Sequence, residues 1–201
     1  MRSMRILPAT LLAAAALLAA CRQSDEPLPG TELGNDPAPA IELKDSNGEL
    51  VTLAQFRGRP VVVTFLYTDC PDVCPVIGQR VGQAVQSLGK DGERVAVIAV
   101  SVDPEGDTPE KARAFMAKHG LTGPDHHYLL GDLETLPPVW FAYGVGAVPV
   151  GKGRQGQPPQ IGRIGHTDGI FLIDRDGRKR TLLRAEATAD EIAGGLRTLL
   201  R

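Results

Sequence analysis

Two stretches of the chain are apolar at almost every position. Val61 to Tyr67 reads VVVTFLY and Val95 to Val102 reads VAVIAVSV, β-branched runs of the kind buried on both faces of a parallel sheet. Between them Ile77, Val81, Val85 and Leu88 recur every three or four residues, the period of an amphipathic helix. Strand, helix and strand in that order predict a right-handed crossover. A second stripe, Ala112, Phe115 and Met116, lies between Thr108 and His119, with Pro109 suited to a first turn and Gly120 to a stop. It should return the chain to a strand near Tyr128. Pro137 and Pro138 break the next segment and shorten any helix leading to Trp140, which reads as core.

Two turn signals frame these elements. Ile41–Lys44 and Leu50–Leu53 flank Asn47-Gly48, and Ile170–Ile173 and Thr181–Leu183 flank Asp176-Gly177; both dipeptides suit tight hairpins. Thr188 with Glu191 forms a capping box ahead of a last helix carrying Ile192, Leu196 and Leu199. The sum is an α/β fold, a mixed central sheet flanked by helices with an added N-terminal β-hairpin at its edge.

The first forty residues lack this patterning. Arg2 and Arg5 precede a small, aliphatic run from Leu11 to Ala20, an export signal interrupted by Pro8 and short for a spanning helix. Leu18-Ala19-Ala20-Cys21 resembles the lipobox of bacterial lipoproteins, which implies cleavage before Cys21 and lipid on its sulfur. Residues 1–20 are thus expected to be a signal peptide and 21–40, with Pro27, Pro29, Pro37 and Pro39, a flexible tether. Residues 41–201 are expected to form the folded domain. Net charge is -2 over the whole chain, and removing the first 20 residues takes away two arginines and no acid, giving −4. No basic field of the kind that collects nucleic acid is present.

With Cys21 assigned to lipid, Cys70 and Cys74 remain. A loop this short constrains little of the unfolded chain, so a purely stabilising disulfide is a poor use of the pair. They stand where the first buried strand hands over to the helix, a position at which open α/β sheets place their sites. Pro75 as first helical residue would put Cys74 at the N-cap, where free N–H groups favour thiolate. Asp69 and Asp72 oppose that by repulsion. Two sulfurs four residues apart can oxidise to a disulfide or hold one soft ion. Asp103 and Asp107 read as helix caps. His119 suits a helix end as a cation, His126 and His127 suit a solvated connection, and His166 precedes a buried strand.

Cys70-Pro-Asp-Val-Cys74-Pro75, then Ser101-Val-Asp-Pro104 with Asp107-Thr-Pro109, then His166 ahead of Ile170–Asp174 resemble the Sco (SenC) family of thioredoxin-like copper proteins, from about Ile41 to the C-terminus. The resemblance implies a thioredoxin-like fold and copper, as Cu(I) and Cu(II), held by Cys70, Cys74 and His166. It implies a chaperone that delivers copper to, or reduces the thiols of, the binuclear copper site of cytochrome c oxidase. The implied partners are that enzyme's copper-site subunit and periplasmic copper carriers. The protein would be lipid-anchored in the bacterial cell envelope, facing the periplasm or extracytoplasmic space. Relatives carry an acid just before this histidine; here that place is Gly165, with Asp168 on the other side. Gly151 to Pro159 reads as a polar surface insertion. The competing reading is a metal-free thiol-disulfide oxidoreductase or thiol peroxidase. Against it, three residues rather than two separate the cysteines, and Val63 and Tyr67 stand where a peroxiredoxin carries Pro and Thr.

Overall fold

The computed structural model describes residues 27–146 and 169–201. The signal segment, Cys21, the Gly151–Pro159 loop and His166 lie outside the described residues. Within them, β1 (Thr31–Glu32), the hairpin β2 (Glu42–Asp45) and β3 (Leu50–Thr52), and a 3₁₀ turn over Leu53–Phe56 lead into β4 (Val61–Leu66). There follow α1 (Val73–Ser87), β5 (Ala96–Ser101), α2 (Pro109–Lys118), β6 (His126–Leu130) and α3 (Leu136–Ala142). A second hairpin, β7 (Gly169–Ile173) and β8 (Lys179–Arg184), and α4 (Ala189–Leu200) complete the fold.

The strands make one sheet in the order β1-β8-β7-β4-β5-β6-β2-β3. β4, β5 and β6 run parallel, in register Val63↔Ile98 and Ile98↔His127. Both hairpins add antiparallel to this centre, β7 on β4 and β2 on β6. Helices cover both faces of this open mixed sheet, the thioredoxin-like architecture.

β4 shows why the run VVVTFL is apolar throughout. Successive side chains of a strand point to opposite faces. Val62 and Leu66 pack with Ile77, Val81, Phe115 and Leu196, a core beneath α1, α2 and α4. Val61, Val63 and Phe65 pack with Phe56, Leu136, Trp140 and Phe171 on the other side. Each such aliphatic side chain, fully buried, contributes about 1.5–3 kcal/mol. Thr188 and Glu191 form the anticipated capping box on α4.

Three local expectations change. Pro137 and Pro138 do not break the segment after β6; they lie in the first turn of α3, where a missing N–H and a fixed φ suit the helix. The helix after β4 begins at Val73, with Asp72 as N-cap, so Pro75 is its third residue and Cys74 its second. Most far-reaching, the folded domain begins before Ile41. Thr31 and Glu32 pair with Leu182 and Thr181, and Pro37 bridges Arg178. Leu33 and Ala38 pack on the core, and the Tyr143 hydroxyl donates to the Pro39 carbonyl at 2.9 Å. Prolines are admissible there because an outermost strand need not offer every N–H to a neighbour.

Candidate metal centre

The parallel strands deliver their C-terminal ends to one pole of the sheet. β4 stops at Leu66, and the chain passes through Tyr67, Thr68 and Asp69 to Cys70 before α1 begins. Neither cysteine is disulfide-bonded, and both are buried, 8% and 4% exposed. The first N–H groups of a helix have no partner within it. Here the Cys74 N–H donates to Cys70 Sγ at 3.4 Å, so a sulfur takes part in capping α1. Burial pushes the Cys70 thiol up. Hydrogen bonds from the Cys74 side chain, the Asp72 and Cys74 backbones and the Tyr67 side chain outweigh it and hold the thiol below its ordinary range. The helix start therefore favours thiolate on Cys70.

The acids beside the pair do not reverse that direction. Asp69 is engaged by Lys111 Nζ at 2.7 Å. Asp107 is not a helix cap. Thr108 caps α2, its hydroxyl accepting from the Lys111 N–H at 3.3 Å. The buried Asp107 carboxylate turns inward instead. Its Oδ1 accepts from the Thr68 N–H and hydroxyl at 2.7 and 2.6 Å, and its Oδ2 from the Ser101 and Tyr128 hydroxyls at 2.6 and 2.9 Å. Tyr128 also reaches the Leu66 carbonyl at 3.1 Å. Burial, then the Asp107 charge, drive its phenol far above the ordinary range. Sequence reasoning missed this cluster, whose only signal was a Ser ending one buried strand and a Tyr inside another. Asp103 keeps a local turn role, Oδ1 accepting from the Gly106 N–H at 2.9 Å.

The remaining histidines stand apart from the thiols. His126 pairs with Val97, near the start of β5, about 13 Å of strand from the site pole. Its Nδ1 accepts from the Gly123 N–H at 3.1 Å, and burial lowers its proton affinity. His127 Nδ1 meets Asp45 Oδ2 at 3.0 Å, pinning the β2–β3 hairpin to β6. His119 caps the C-terminal end of α2, but not as a cation. Its ring lies 4.5 Å from that of Phe115, and its buried Nε2 has no partner among the described residues. Burial, then Lys118, hold its pKa below the ordinary value.

Chain connectivity brings one more segment to this pole. Residues 169–173 re-enter beside β4, Ile170 opposite Thr64, and the Thr64 hydroxyl donates to the Gly169 carbonyl at 3.2 Å.

Residues 31–201 match the SCO1/SenC family. The chain belongs to that family. Among solved structures, copper-bound ScoI of Bradyrhizobium japonicum is 32% identical, with a TM-score of 0.67 over 81% of this chain and 99% of that one. BsSco, described as carrying a disulfide switch and as a member of the Sco family of cytochrome c oxidase assembly proteins, shares the fold at 21% identity, with a TM-score of 0.65 over 85% and 96%. A SCO2-like protein of Rickettsia prowazekii is 27% identical over 157 residues, 76% of this chain and 71% of its own. A Mycobacterium tuberculosis protein provisionally named a peroxiredoxin is 32% identical over 144 residues, 71% of this chain and 79% of its own. Like these Sco relatives, the chain carries a thioredoxin-like sheet. No helix among its described residues is long and apolar enough to cross a membrane.

Proposed function

We propose that this Sco-family protein is a copper chaperone of the bacterial cell envelope. It delivers copper to, or reduces the thiols of, the binuclear copper site of cytochrome c oxidase. One observation carries the reading: two thiols not joined in a disulfide meet at the start of α1, with the sulfur of Cys70 receiving the helix N–H. Soft thiolates select Cu(I), and an added imidazole suits Cu(II) as well. His166 supplies that imidazole. It lies three residues before Gly169, which sits beside β4, and three residues of chain span at most about 11 Å. The copper carried by ScoI and the oxidase role named for BsSco support the same reading.

Export follows from the first 20 residues, and anchoring from lipid on Cys21. Fatty-acid labelling should mark the wild type and not Cys21→Ser; equal labelling contradicts the anchor.

The thiol-disulfide alternative keeps one specific support, the lowered proton affinity of Cys70, which also suits a nucleophile. A transfer experiment separates the two. Copper-loaded protein is mixed with the reduced, copper-free copper-site subunit of cytochrome c oxidase. Copper should move to the subunit, and Cys70→Ser should supply none. A subunit that stays empty, or fills equally from Cys70→Ser, contradicts the chaperone role.

A further inference from the structure

Asp107 is a buried acidic side chain whose hydrogen-bond partners are all neutral. Burying a carboxylate is costly unless its acceptor sites are filled. An ionised carboxylate offers about four such sites, and here four donors meet them, from Thr68 (twice), Ser101 and Tyr128, all at 2.6 to 2.9 Å. Capping does not explain this outlay, because Thr108 already caps α2. What the four contacts share is geometry. Two come from the ends or interiors of β5 and β6, fixed parts of the sheet, and the other two from one residue of the loop that carries Cys70.

We propose that Asp107 is a positioning residue for the Cys70–Cys74 pair, a buried clamp that fastens Thr68 to the sheet and so sets where Cys70 meets the start of α1. The inference rests on reading that pair as the working centre. Thr68 is two residues from Cys70, and two steps of chain span about 7 Å at most, so a shift at Thr68 reaches the sulfur with little slack. A second tie from the same helix start, Lys111 to Asp69 at 2.7 Å, is exposed and contributes little alone. Tyr128 closes the cluster from beneath, its single O–H shared between Asp107 Oδ2 and the Leu66 carbonyl from which the loop departs. Two thiols can form a disulfide or share one ion only when held together. Loss of placement on the scale of an ångström lowers the effective concentration of one group near another by up to about a hundredfold.

The test compares Asp107→Ala, Asp107→Asn, Thr68→Val and Thr108→Ala with wild type in two assays. One is equilibrium with glutathione, in which the two thiols and oxidised glutathione give the Cys70–Cys74 disulfide and two reduced glutathiones. The other is competition for Cu(I). Asp107→Ala should lower both constants at least about tenfold. Asp107→Asn should recover much of the loss, since its amide oxygen still receives both Thr68 donors. Thr68→Val should give a smaller loss than Asp107→Ala, and Thr108→Ala, which uncaps α2 and leaves the clamp, should change neither. A folded Asp107→Ala with wild-type constants overturns the proposal, as does a Thr108→Ala as impaired as Asp107→Ala. Where circular dichroism shows Asp107→Ala unfolded, Thr68→Val decides, and wild-type constants in it overturn the proposal. The glutathione assay needs no metal, so a wild type that forms the disulfide but takes no copper refutes the copper reading alone.

Discussion

His119 shows how one residue can be placed correctly in sequence and mistaken in chemistry. Its position at the end of α2 suits a cation, yet the carbonyls there do not hold a charged ring. The imidazole packs on Phe115 and against Gly78 of α1, and the backbone carbonyl oxygen of His119 lies where a Cβ added to Gly82 would stand 1.9 Å away. Burial, then Lys118, depress its pKa below 6.5, so the folded protein holds it neutral. The unfolded chain binds the proton more readily, and stability should fall as pH drops below about 6.5 towards the folded value. His126, depressed chiefly by burial, adds in the same direction. Urea midpoints between about pH 7 and pH 5 should show the decline, and His119→Gln should flatten it. An unchanged slope in that variant contradicts the assignment.

At the scale of elements, β1 is the strand that most alters the picture. It occupies an edge, pairs only through Thr31 and Glu32, and is followed by Leu33, Ala38 and Pro39 packed on α3's side of the sheet. A soluble fragment beginning at Ile41 should be less stable than one beginning at Pro27 by about 2 kcal/mol, roughly one apolar side chain returned to water. Equal urea midpoints would return residues 31–40 to the role of a tether. The sequence announced the central strands because burial on both faces demands unbroken apolar runs, and it announced the hairpins through Asn47-Gly48 and Asp176-Gly177. Two paired residues among prolines leave no such period. The start of α1 was hidden for another reason: part of its capping comes from the Cys70 sulfur, an atom outside the usual oxygen-bearing capping residues. The Asp107 clamp was hidden because its donors, Thr68, Ser101 and Tyr128, come from three separate segments that only the parallel sheet brings together.

For the molecule as a whole, one pole gathers the ends of β4 and β5, the two thiols and the re-entry of the chain at Gly169, whereas His126 lies towards the other pole with its β6 neighbour His127 paired to Asp45. In the proposed centre, Cys70, Cys74 and His166 together hold copper. Two thiolates suffice for Cu(I), whereas Cu(II) prefers more ligands with nitrogen among them. The direct measurement is a competition titration of the reduced protein with Cu(II) and with Cu(I), wild type beside His166→Ala, with disulfide formation as the control. The variant should lose Cu(II) affinity by about ten- to a hundredfold while retaining part of its Cu(I) affinity and forming its disulfide normally. Unchanged Cu(II) affinity in His166→Ala would remove that residue from the centre and overturn the three-ligand copper site.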